Sequence, residues 1–391
     1  MMRVKLNGLI KTFIILSFML FAADALGMGW YILGASFLLT AFYIVVTQRR
    51  FVVNSLFVWV LLLAVSNFAI MFIHSNADIV TKIMKYLASP LIGYLIGHIL
   101  ASEAKEENAI FKLYMYAVIP LFVHGVLNQI GFQAGDNWNR EVRDFWTGQP
   151  WKATLHCAYF AMTVPLVFLS FTQKGLVKKA VFFGLTAFSV YASIATSSRT
   201  VIFIGLITIA LEFLLYLLMP RTSGANRKKG VFLTVSLAVA VVAVIVFNNM
   251  DSLSDTYFFQ RMFESDVDEE PRIRLFMNII KNTLDYPLGN MPYFYSHNTW
   301  LDFLRESGWI TFICFAAITV IAIKDFVSVY KRQSISQPYR VAVVGMMTAL
   351  LIVMFVEPIM DGSAILFCLF FYFIAVNNRF AHRVGSELKY V

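Results

Sequence analysis

The chain has 391 residues, of which 59% are hydrophobic and 14% charged, with a mean hydropathy of +0.71 and a net charge of +9. Soluble domains contain about 45–50% apolar residues, so this composition excludes an ordinary soluble protein. The positive charge does not indicate nucleic-acid binding, because Lys and Arg lie mainly in short segments between apolar runs. The three cysteines lie inside apolar runs, where we expect small buried side chains without disulfide bonds.

Long apolar runs predict an all-α polytopic membrane protein. Most runs are long enough to cross about 30 Å of hydrocarbon as a helix, and their continuity excludes the alternating strands of a membrane barrel. We predict about twelve transmembrane helices, at residues 8–26, 28–47, 52–73, 80–101, 109–132, 153–172, 179–197, 200–219, 231–248, 298–323, 341–360 and 363–377. Membrane helices one to nine then occupy 1–248, an outer loop 249–297, and helices ten to twelve with a tail 298–391.

The N-terminal region has two interpretations. Lys and Arg residues precede an apolar run at 13–22, and Ala23-Asp24-Ala25 follows it in the pattern of a signal-peptide cleavage site. A series of further apolar runs comes behind it, as in a multi-pass protein. We therefore expect an uncleaved first span rather than a signal peptide.

The distribution of Lys and Arg predicts the orientation of the spans. Basic residues cluster in the connections near 49–50, 174–179, 221–229, 324–340 and 379–389, on the same side as the N-terminal Arg3 and Lys5. Cytoplasmic connections carry this excess of positive charge, so we predict that both termini are cytoplasmic. The opposite face then holds two substantial loops, 133–152 and 249–297, and any chemistry is expected there.

Arginines near the outer face are candidates for function. Arg199, in TSSRT, lies in a tight connection where an arginine opposes the charge bias; the alternative is a helix-end anchor that reaches toward water. Arg272 and Arg274 follow Pro271 in the first turn of a predicted amphipathic helix, 271–286, which is the unfavourable end of the helix dipole for cations. They could pair with the acidic run 264–270 or form an anion site.

The stretch SHNTWLDFLRESG concentrates polar residues at the start of the tenth predicted span. We predict that Ser296 caps the helix, with His297 and Asn298 in its first turn and Arg305 on the same face as His297. The uninterrupted apolar part that follows, 309–323, is only about 22 Å long at 1.5 Å per residue. The polar turns are therefore expected to line a water-filled outer cavity. The alternative is that His297 is an ordinary interfacial residue.

Two further groups fit such a cavity. Glu357 and Asp361 lie at the outer end of the eleventh predicted span, where acids are candidate partners for arginines. The outer loop 133–152 supplies tryptophans that could stack on sugar rings and arginines that could grip phosphate: Trp138, Trp146, Trp151, Arg140 and Arg143. Tryptophan is also common at membrane interfaces without any such role.

Three segments, TSSRT, RIRLFMNIIKNTLDYPLG and SHNTWLDFLRESG, together resemble the O-antigen ligase and O-antigen polymerase superfamily of bacterial membrane glycosyltransferases. The family often has tryptophan where this chain has Phe276, which aligns the family arginine with Arg272 rather than Arg274. The family glycine after the proline corresponds to Gly289. The resembling motifs cover roughly residues 195–310, and H-N-x-x-L followed by E-x-G is the more specific part.

The resemblance implies a glycosyltransferase without metal or cofactor, acting at the outer face of the bacterial cytoplasmic membrane. Its donor would be a glycan on undecaprenyl pyrophosphate, and its acceptor a glycan or lipid-linked glycan. Arg199 and Arg272 would stabilise the leaving pyrophosphate, and His297 would be the general base. Alternatively His297 binds the phosphate and Glu357 or Asp361 is the base. The other residues expected to bind substrate are Arg274, Asn298, Arg305, Trp138 and Arg143.

Several functions remain open at the level of sequence. A polymerase, which joins repeat units, is favoured slightly over a ligase, which transfers finished chains to lipid A–core, because the outer loop is compact. A flippase or other transporter is a different class, but the middles of the predicted spans are nearly free of charge. A structural scaffold would have no use for Arg199, Arg272 and His297 together. Expected partners are membrane lipids and, for a polymerase, a chain-length regulator.

Overall fold

The computed structural model describes residues 2–47, 53–131, 141–196, 198–218, 271–292 and 296–383. These residues are almost entirely helical and include one two-stranded sheet, which confirms the predicted all-α class. The helices are α1 (Met2–Ala22), α2 (Gly29–Thr47), α3 (Ser55–His74), α4 (Ile79–Lys82), α5 (Ser89–Glu103), α6 (Ala109–Ile130), α7 (Ala153–Ala158), α8 (Val167–Thr172), α9 (Leu176–Ala195), α10 (Arg199–Leu218), α11 (Pro271–Asn282), α12 (Thr299–Lys331), α13 (Gln337–Val356), α14 (Ile359–Gly362) and α15 (Ala364–Ala381). The strands are β1 (Glu141–Arg143) and β2 (Pro150–Lys152).

Nine helices within the described residues are long and apolar enough to cross a membrane, so the chain is a multi-pass membrane protein. One of the nine joins α4 and α5 through a π-helical turn, Ile83–Ala88. The predicted number of twelve spans is not confirmed. The apolar part of α1, Asn7–Ala22, is shorter than the other spans, and the ninth predicted span, 231–248, lies outside the described residues.

The sixth predicted span, 153–172, is wrong as a continuous helix. The helix α7 ends at Ala158, and turns and a 3-10 segment, Val164–Leu166, precede α8. Pro165 has no N–H group for a helical hydrogen bond. The hydroxyl of Thr186 donates to the carbonyl oxygens of Thr163 and Val164, each at 3.2 Å. Neighbouring hydroxyls thus satisfy backbone groups that the break releases inside the membrane.

The helix α15 forms the centre of the bundle, and most of its side chains are fully buried. It packs closely on α5 because Gly93 and Gly97 lie one turn apart on the facing surface. A Cβ atom at either glycine would lie 2.4 Å from a backbone oxygen of α15, that of Cys368 or Tyr372. Small residues at this spacing let membrane helices approach at backbone distance. All three cysteines of the chain are free and buried, as predicted.

The helix α12 is broken near its start, at Gly308, where φ is 72°. The loop after α11 enters this break: the N–H of Asn290 donates to Glu306 O at 3.1 Å, and that of Trp309 to Pro287 O at 3.0 Å. The polar stretch that begins at Thr299 is therefore a separate short helix whose last carbonyls are capped by the loop. The predicted span 298–323 missed this break and ended too early, because the second part continues to Lys331.

The connections gather at two ends of the bundle. At one end, Arg332 pairs with Glu107 at 3.0 Å, and Asn54 donates to Asn378 at 2.7 Å, which joins connections that are predicted to be cytoplasmic. At the other end lie the α1–α2 corner, the β1–β2 hairpin and His297; we call this the His297 end. The grouping agrees with the predicted topology, whereas the side of the membrane that each end faces stays a prediction.

Candidate functional site

His297 adopts a left-handed backbone conformation, with φ of 57°, immediately before α12. The N-cap of α12 is Asn298, whose side chain accepts from the N–H of Leu301 at 3.0 Å. The prediction that Ser296 caps the helix is wrong, because Ser296 instead donates to the buried carboxylate of Asp302. Since His297 lies outside the helix, the predicted helical face shared by His297 and Arg305 does not form. Left-handed non-glycine residues are uncommon and concentrate at functional sites.

Two hydrogen bonds fix the His297 segment to the end of α13. The amide of Asn298 donates to Phe355 O at 3.0 Å, and the hydroxyl of Thr299 donates to Glu357 O at 3.2 Å. Asn298 therefore both caps α12 and ties it to α13. This double anchoring holds the backbone of His297 beside Glu357.

His297 and Glu357 form the pair of ionisable groups at the centre of the site. The imidazole Nδ1 lies 3.8 Å from Glu357 Oε2. The glutamate side chain is fully buried, whereas 27% of the histidine side chain is exposed. The separation is too long for a direct hydrogen bond but allows strong electrostatic interaction. The pair therefore presents an accessible imidazole in front of an inaccessible carboxylate.

A cavity of about 320 Å³, the His297 cavity, opens beside this pair. Its walls come from β2 and α7 on one side, and from His297 and the segment after α13 on the other: Pro150, Trp151, Lys152, Thr154, Leu155, Glu357, Pro358 and Gly362. The volume falls within the range of about 300–1,000 Å³ that is typical of ligand sites. Lys152 adds a cation that the sequence interpretation missed, although it directly follows the predicted sugar-stacking Trp151.

The hairpin that carries Trp151 and Lys152 is fastened to α6 by Asp144. One oxygen of Asp144 accepts from the N–H of Thr147 at 2.7 Å, and the other lies 3.0 Å from His124 Nε2. Burial opposes ionisation of Asp144, but the hydrogen bonds from His124 and Thr147 outweigh it and lower its pKa to about 2. This buried pair holds one wall of the cavity in place.

Arg199 is the first residue of α10. Just before it, Thr196 contacts the thiol of Cys157 at 2.9 Å, which ties this corner to α7. Thr154 and Leu155 of the same helix line the His297 cavity. The Arg199 side chain is half-buried and lies outside the lining of the His297 cavity. The structure thus brings the TSSRT corner and the His297 pair to the same region.

Arg272 and Arg274 lie in the first turn of α11, as predicted, and Arg274 is exposed. The structure does not describe the side chain of Arg272 or the acidic run 264–270. Ile279 attaches α11 to α12 by packing in a small cluster with Met291 and Leu304. Much of the apolar face of the predicted helix 271–286 is exposed, at Ile273, Met277, Ile280 and Leu284, although the observed helix ends at Asn282. That face is suited to contact with lipid.

The remaining predicted substrate-binding residues are dispersed. Arg305 is nearly buried and pairs with Asp302, at 3.3 Å, and with Glu306. Arg143 is exposed on β1 of the hairpin. The backbone of Asp361 lies in α14, but its side chain is not described, and Trp138 and Arg140 lie outside the described residues. Their roles as substrate contacts stay predictions.

A second cavity, of about 170 Å³, adjoins the first and contains Asp24, so we call it the Asp24 cavity. Trp151 and Gly362 line both cavities. Burial raises the pKa of Asp24, and the nearby His124 acts against this rise. Ligand atoms of Asp24, His124 and Asp144 lie within 4.8 Å of one another, a spacing that would suit a metal ion. The sequence interpretation missed this group, because its members are separated by up to 120 residues.

Glu212 is a second group that the sequence interpretation missed. It lies within α10, is fully buried, and neither carboxyl oxygen has a hydrogen-bond partner among the described residues. Its Oε1 would lie 2.1 Å from a Cβ atom at Gly345, so only glycine on α13 leaves room for it. The expectation that the span interiors are nearly free of charge is therefore wrong at this position.

Neither known protein-family models nor curated proteins provide a match to this chain.

Proposed function

We propose that the protein is a metal-independent membrane glycosyltransferase. It uses glycans linked to undecaprenyl pyrophosphate at the outer face of the bacterial cytoplasmic membrane and joins their repeat units. The observation that carries the proposal is the accessible His297 imidazole, held in a ligand-sized cavity 3.8 Å from the buried Glu357. The resemblance of the three sequence segments to O-antigen polymerases and ligases supplies the substrate class.

The proposed reaction is a direct displacement at the anomeric carbon. His297 removes the proton of an acceptor hydroxyl as its oxygen attacks, and the bond from the anomeric carbon to the pyrophosphate oxygen breaks. The leaving pyrophosphate keeps the electron pair, and Arg199 and Arg272 stabilise its charge. The imidazolium that forms is stabilised by Glu357. Attack from the side opposite the leaving group inverts the anomeric centre.

Geometry supports this division of roles. The imidazole of His297 is the member of the pair that a substrate reaches, since Glu357 is fully buried. The left-handed backbone and the anchors at Asn298 and Thr299 preorganise the imidazole. Lys152, in the same cavity, is suited to the phosphate-bearing part of the donor.

A lipid-linked oligosaccharide transporter is the second candidate, and Glu212 is the observation that favours it. A buried carboxyl inside a span is a common feature of transport pathways. A transporter would depend on Glu212 and tolerate the loss of His297. A glycosyltransferase would show the opposite dependence, so His297→Ala and Glu212→Gln separate the two classes.

The test is a surface-polysaccharide gel from the native host after deletion of the gene and complementation with variants. A polymerase predicts that the deletion strain keeps single repeat units on the acceptor but loses long chains. A bare acceptor with long lipid-linked chains inside the cell would instead establish the ligase.

His297→Ala should fail to restore long chains, whereas the matched variant His74→Ala should restore them. His74 ends α3 at the same end of the bundle but lies outside the lining of the His297 cavity. Full restoration of long chains by His297→Ala would show that His297 is not the general base. Unchanged glycan in the deletion strain would overturn the proposed function.

A further inference from the structure

The Asp24 cavity has the surface chemistry of a sugar-binding subsite. Trp30, Trp151 and Tyr159 line it together with Asp24 and Ser363. Aromatic rings offer apolar faces to the C–H side of a sugar, and a carboxylate is a strong acceptor for its hydroxyls. At about 170 Å³ the cavity is smaller than the sites of drug-sized ligands, so it suits one ring rather than an oligosaccharide.

The two carboxyl oxygens of Asp24 differ in the hydrogen bonds that the described residues make to them. Its Oδ1 accepts from the N–H of Gly29 at 2.9 Å, which fixes the orientation of the carboxyl group. No hydrogen bond to Oδ2 comes from any residue that the structure describes. The backbone of Asp24 is itself left-handed, with φ of 44°, at the corner between α1 and α2. The corner therefore fixes one carboxyl oxygen of a residue that lines the cavity, and the other oxygen has no hydrogen-bond donor among the described residues.

Two aromatic side chains of the cavity wall, Trp151 and Tyr159, pack against each other. The ring of Trp151 meets that of Tyr159 edge-on, with centroids 5.2 Å apart, and the Tyr159 hydroxyl contacts Ser363 at 3.1 Å. The turn of the hairpin also packs on the corner that contains Asp24, since a Cβ atom at Gly27 would lie 2.4 Å from the Thr147 side chain. A ring that entered would meet side chains already fixed by their neighbours.

Charge separates the two cavities. Lys152 and His297 line the larger one together with Glu357, and the Lys152 ammonium group there can bind a phosphate group. Asp24 lines the smaller one and has Asp144 nearby, so that a phosphate would be repelled and a neutral sugar accepted. Trp151 and Gly362 line both cavities, so the two cavities are adjacent.

We infer that the Asp24 cavity binds a sugar ring of the glycan substrate next to the ring that reacts at His297, with Asp24 accepting hydroxyl hydrogen bonds and Trp151 packing against the ring. This inference rests on the proposed function. Asp24 lies outside the three sequence segments that resemble the glycosyltransferase superfamily. The inference therefore assigns substrate binding to a residue that the resemblance does not cover. Substrate affinity then depends on Asp24, which lies in the α1–α2 corner.

The test is a transfer assay in membrane vesicles, titrated with lipid-linked glycan extracted from a strain that lacks the gene. Asp24→Asn keeps the shape of the side chain and an acceptor for Gly29 while removing the charge. Ala364→Leu fills the cavity from its α15 wall. Asp24→Asn should raise the half-saturating glycan concentration about tenfold or more, because one hydrogen bond to a charged group has at least this effect. Ala364→Leu should raise it as well, because the larger side chain occupies the space of the sugar ring. Both variants should leave the maximal rate nearly unchanged.

The matched control is Asp78→Asn, since Asp78 is an exposed aspartate at the same end that caps α4. It should behave as wild type, and thermal unfolding of the purified proteins verifies that all variants fold. Wild-type half-saturation in both Asp24→Asn and Ala364→Leu would overturn the sugar subsite while leaving the proposed function intact. Vesicles with wild-type protein that transfer no glycan would overturn the proposed function and the subsite with it.

Discussion

Nδ1 of His297 lies 3.8 Å from Oε2 of Glu357, and of the two side chains only that of the histidine is exposed to solvent. From the sequence, either His297 or Glu357 could be the base that contacts substrate. This arrangement favours His297 as the base, with Glu357 acting through it. Glu357 is suited to orienting and stabilising a protonated imidazole. Its backbone also receives the Thr299 hydroxyl, so it contributes to the position of α12.

Substitution of each partner should reveal this division. We expect His297→Asn, which retains a residue type tolerant of left-handed backbone, to lower the transfer rate about 10²–10⁴-fold. Glu357→Gln should cost less, about 10-fold, because the imidazole remains. Initial rates in vesicles containing equal amounts of protein measure both. A larger loss in Glu357→Gln than in His297→Asn would make the glutamate the base.

Gly308 provides a test of the broken helix. Its φ of 72° is unfavourable for other residues, and a Cβ atom there would lie 2.3 Å from Pro287 O. We expect Gly308→Ala to destabilise the protein by at least about 1–3 kcal/mol, since the neighbouring group is backbone that cannot easily move. The measurement is thermal unfolding in detergent, together with the amount of protein recovered from membranes.

Gly184 offers the matched control for that substitution. It lies within α9, and a Cβ atom added there would have no atom of the described residues within 4 Å beyond its own helix backbone. Gly184→Ala should therefore be neutral or slightly stabilising. Equal stability of Gly308→Ala and Gly184→Ala would show that the helix is not broken at Gly308.

Much of the fold follows from apolar run length, because a membrane requires each span to satisfy its own backbone. The structure departs from this pattern at the two places where side chains or loops of other segments satisfy the backbone hydrogen bonds of a span. Thr186 supports the break before α8, and the loop 287–291 supports the break at Gly308. Most of these partners lie well over ten residues away in sequence from the groups that they contact, so local patterns cannot reveal them.

The candidate site shows the same limit. His297 and Glu357 can both be identified from sequence, because polar residues at the ends of apolar runs are conspicuous. The left-handed conformation of His297 cannot be identified from sequence. It depends on Asn298, whose side chain both caps α12 and donates a hydrogen bond to the carbonyl oxygen of Phe355. Asp24, His124 and Asp144 belong to separate segments, and only the packing of the hairpin on the α1–α2 corner assembles them.

The buried Asp144 predicts a pH-dependent attachment of the hairpin. Its folded pKa of about 2 lies below its ordinary value of 3.8, so ionised Asp144 contributes stability above about pH 4 that is lost as the pH falls toward 2. We expect residues 141–152 to lose protection from amide exchange, relative to the intrinsic exchange rate at each pH, as the pH falls over this range; mass spectrometry in nanodiscs measures this. Asp144→Asn should show the faster exchange already at neutral pH.

Exchange at α9 is the internal reference for this experiment, since that helix does not contact Asp144. Acceleration confined to the hairpin supports its attachment through Asp144 and His124. Equal acceleration in α9 would indicate general acid unfolding. Unchanged exchange in Asp144→Asn at neutral pH would contradict a fastening role for this carboxylate.

The group formed by Asp24, His124 and Asp144 makes metal dependence testable. We expect EDTA to leave the transfer rate unchanged, because arginines are proposed to stabilise the leaving pyrophosphate and Asp144 already accepts hydrogen bonds at both oxygens. The same vesicles are assayed before and after chelation, and the metal content of purified protein is measured by mass spectrometry. Loss of activity with EDTA, together with loss of bound metal in His124→Ala, would instead assign a functional ion to this group.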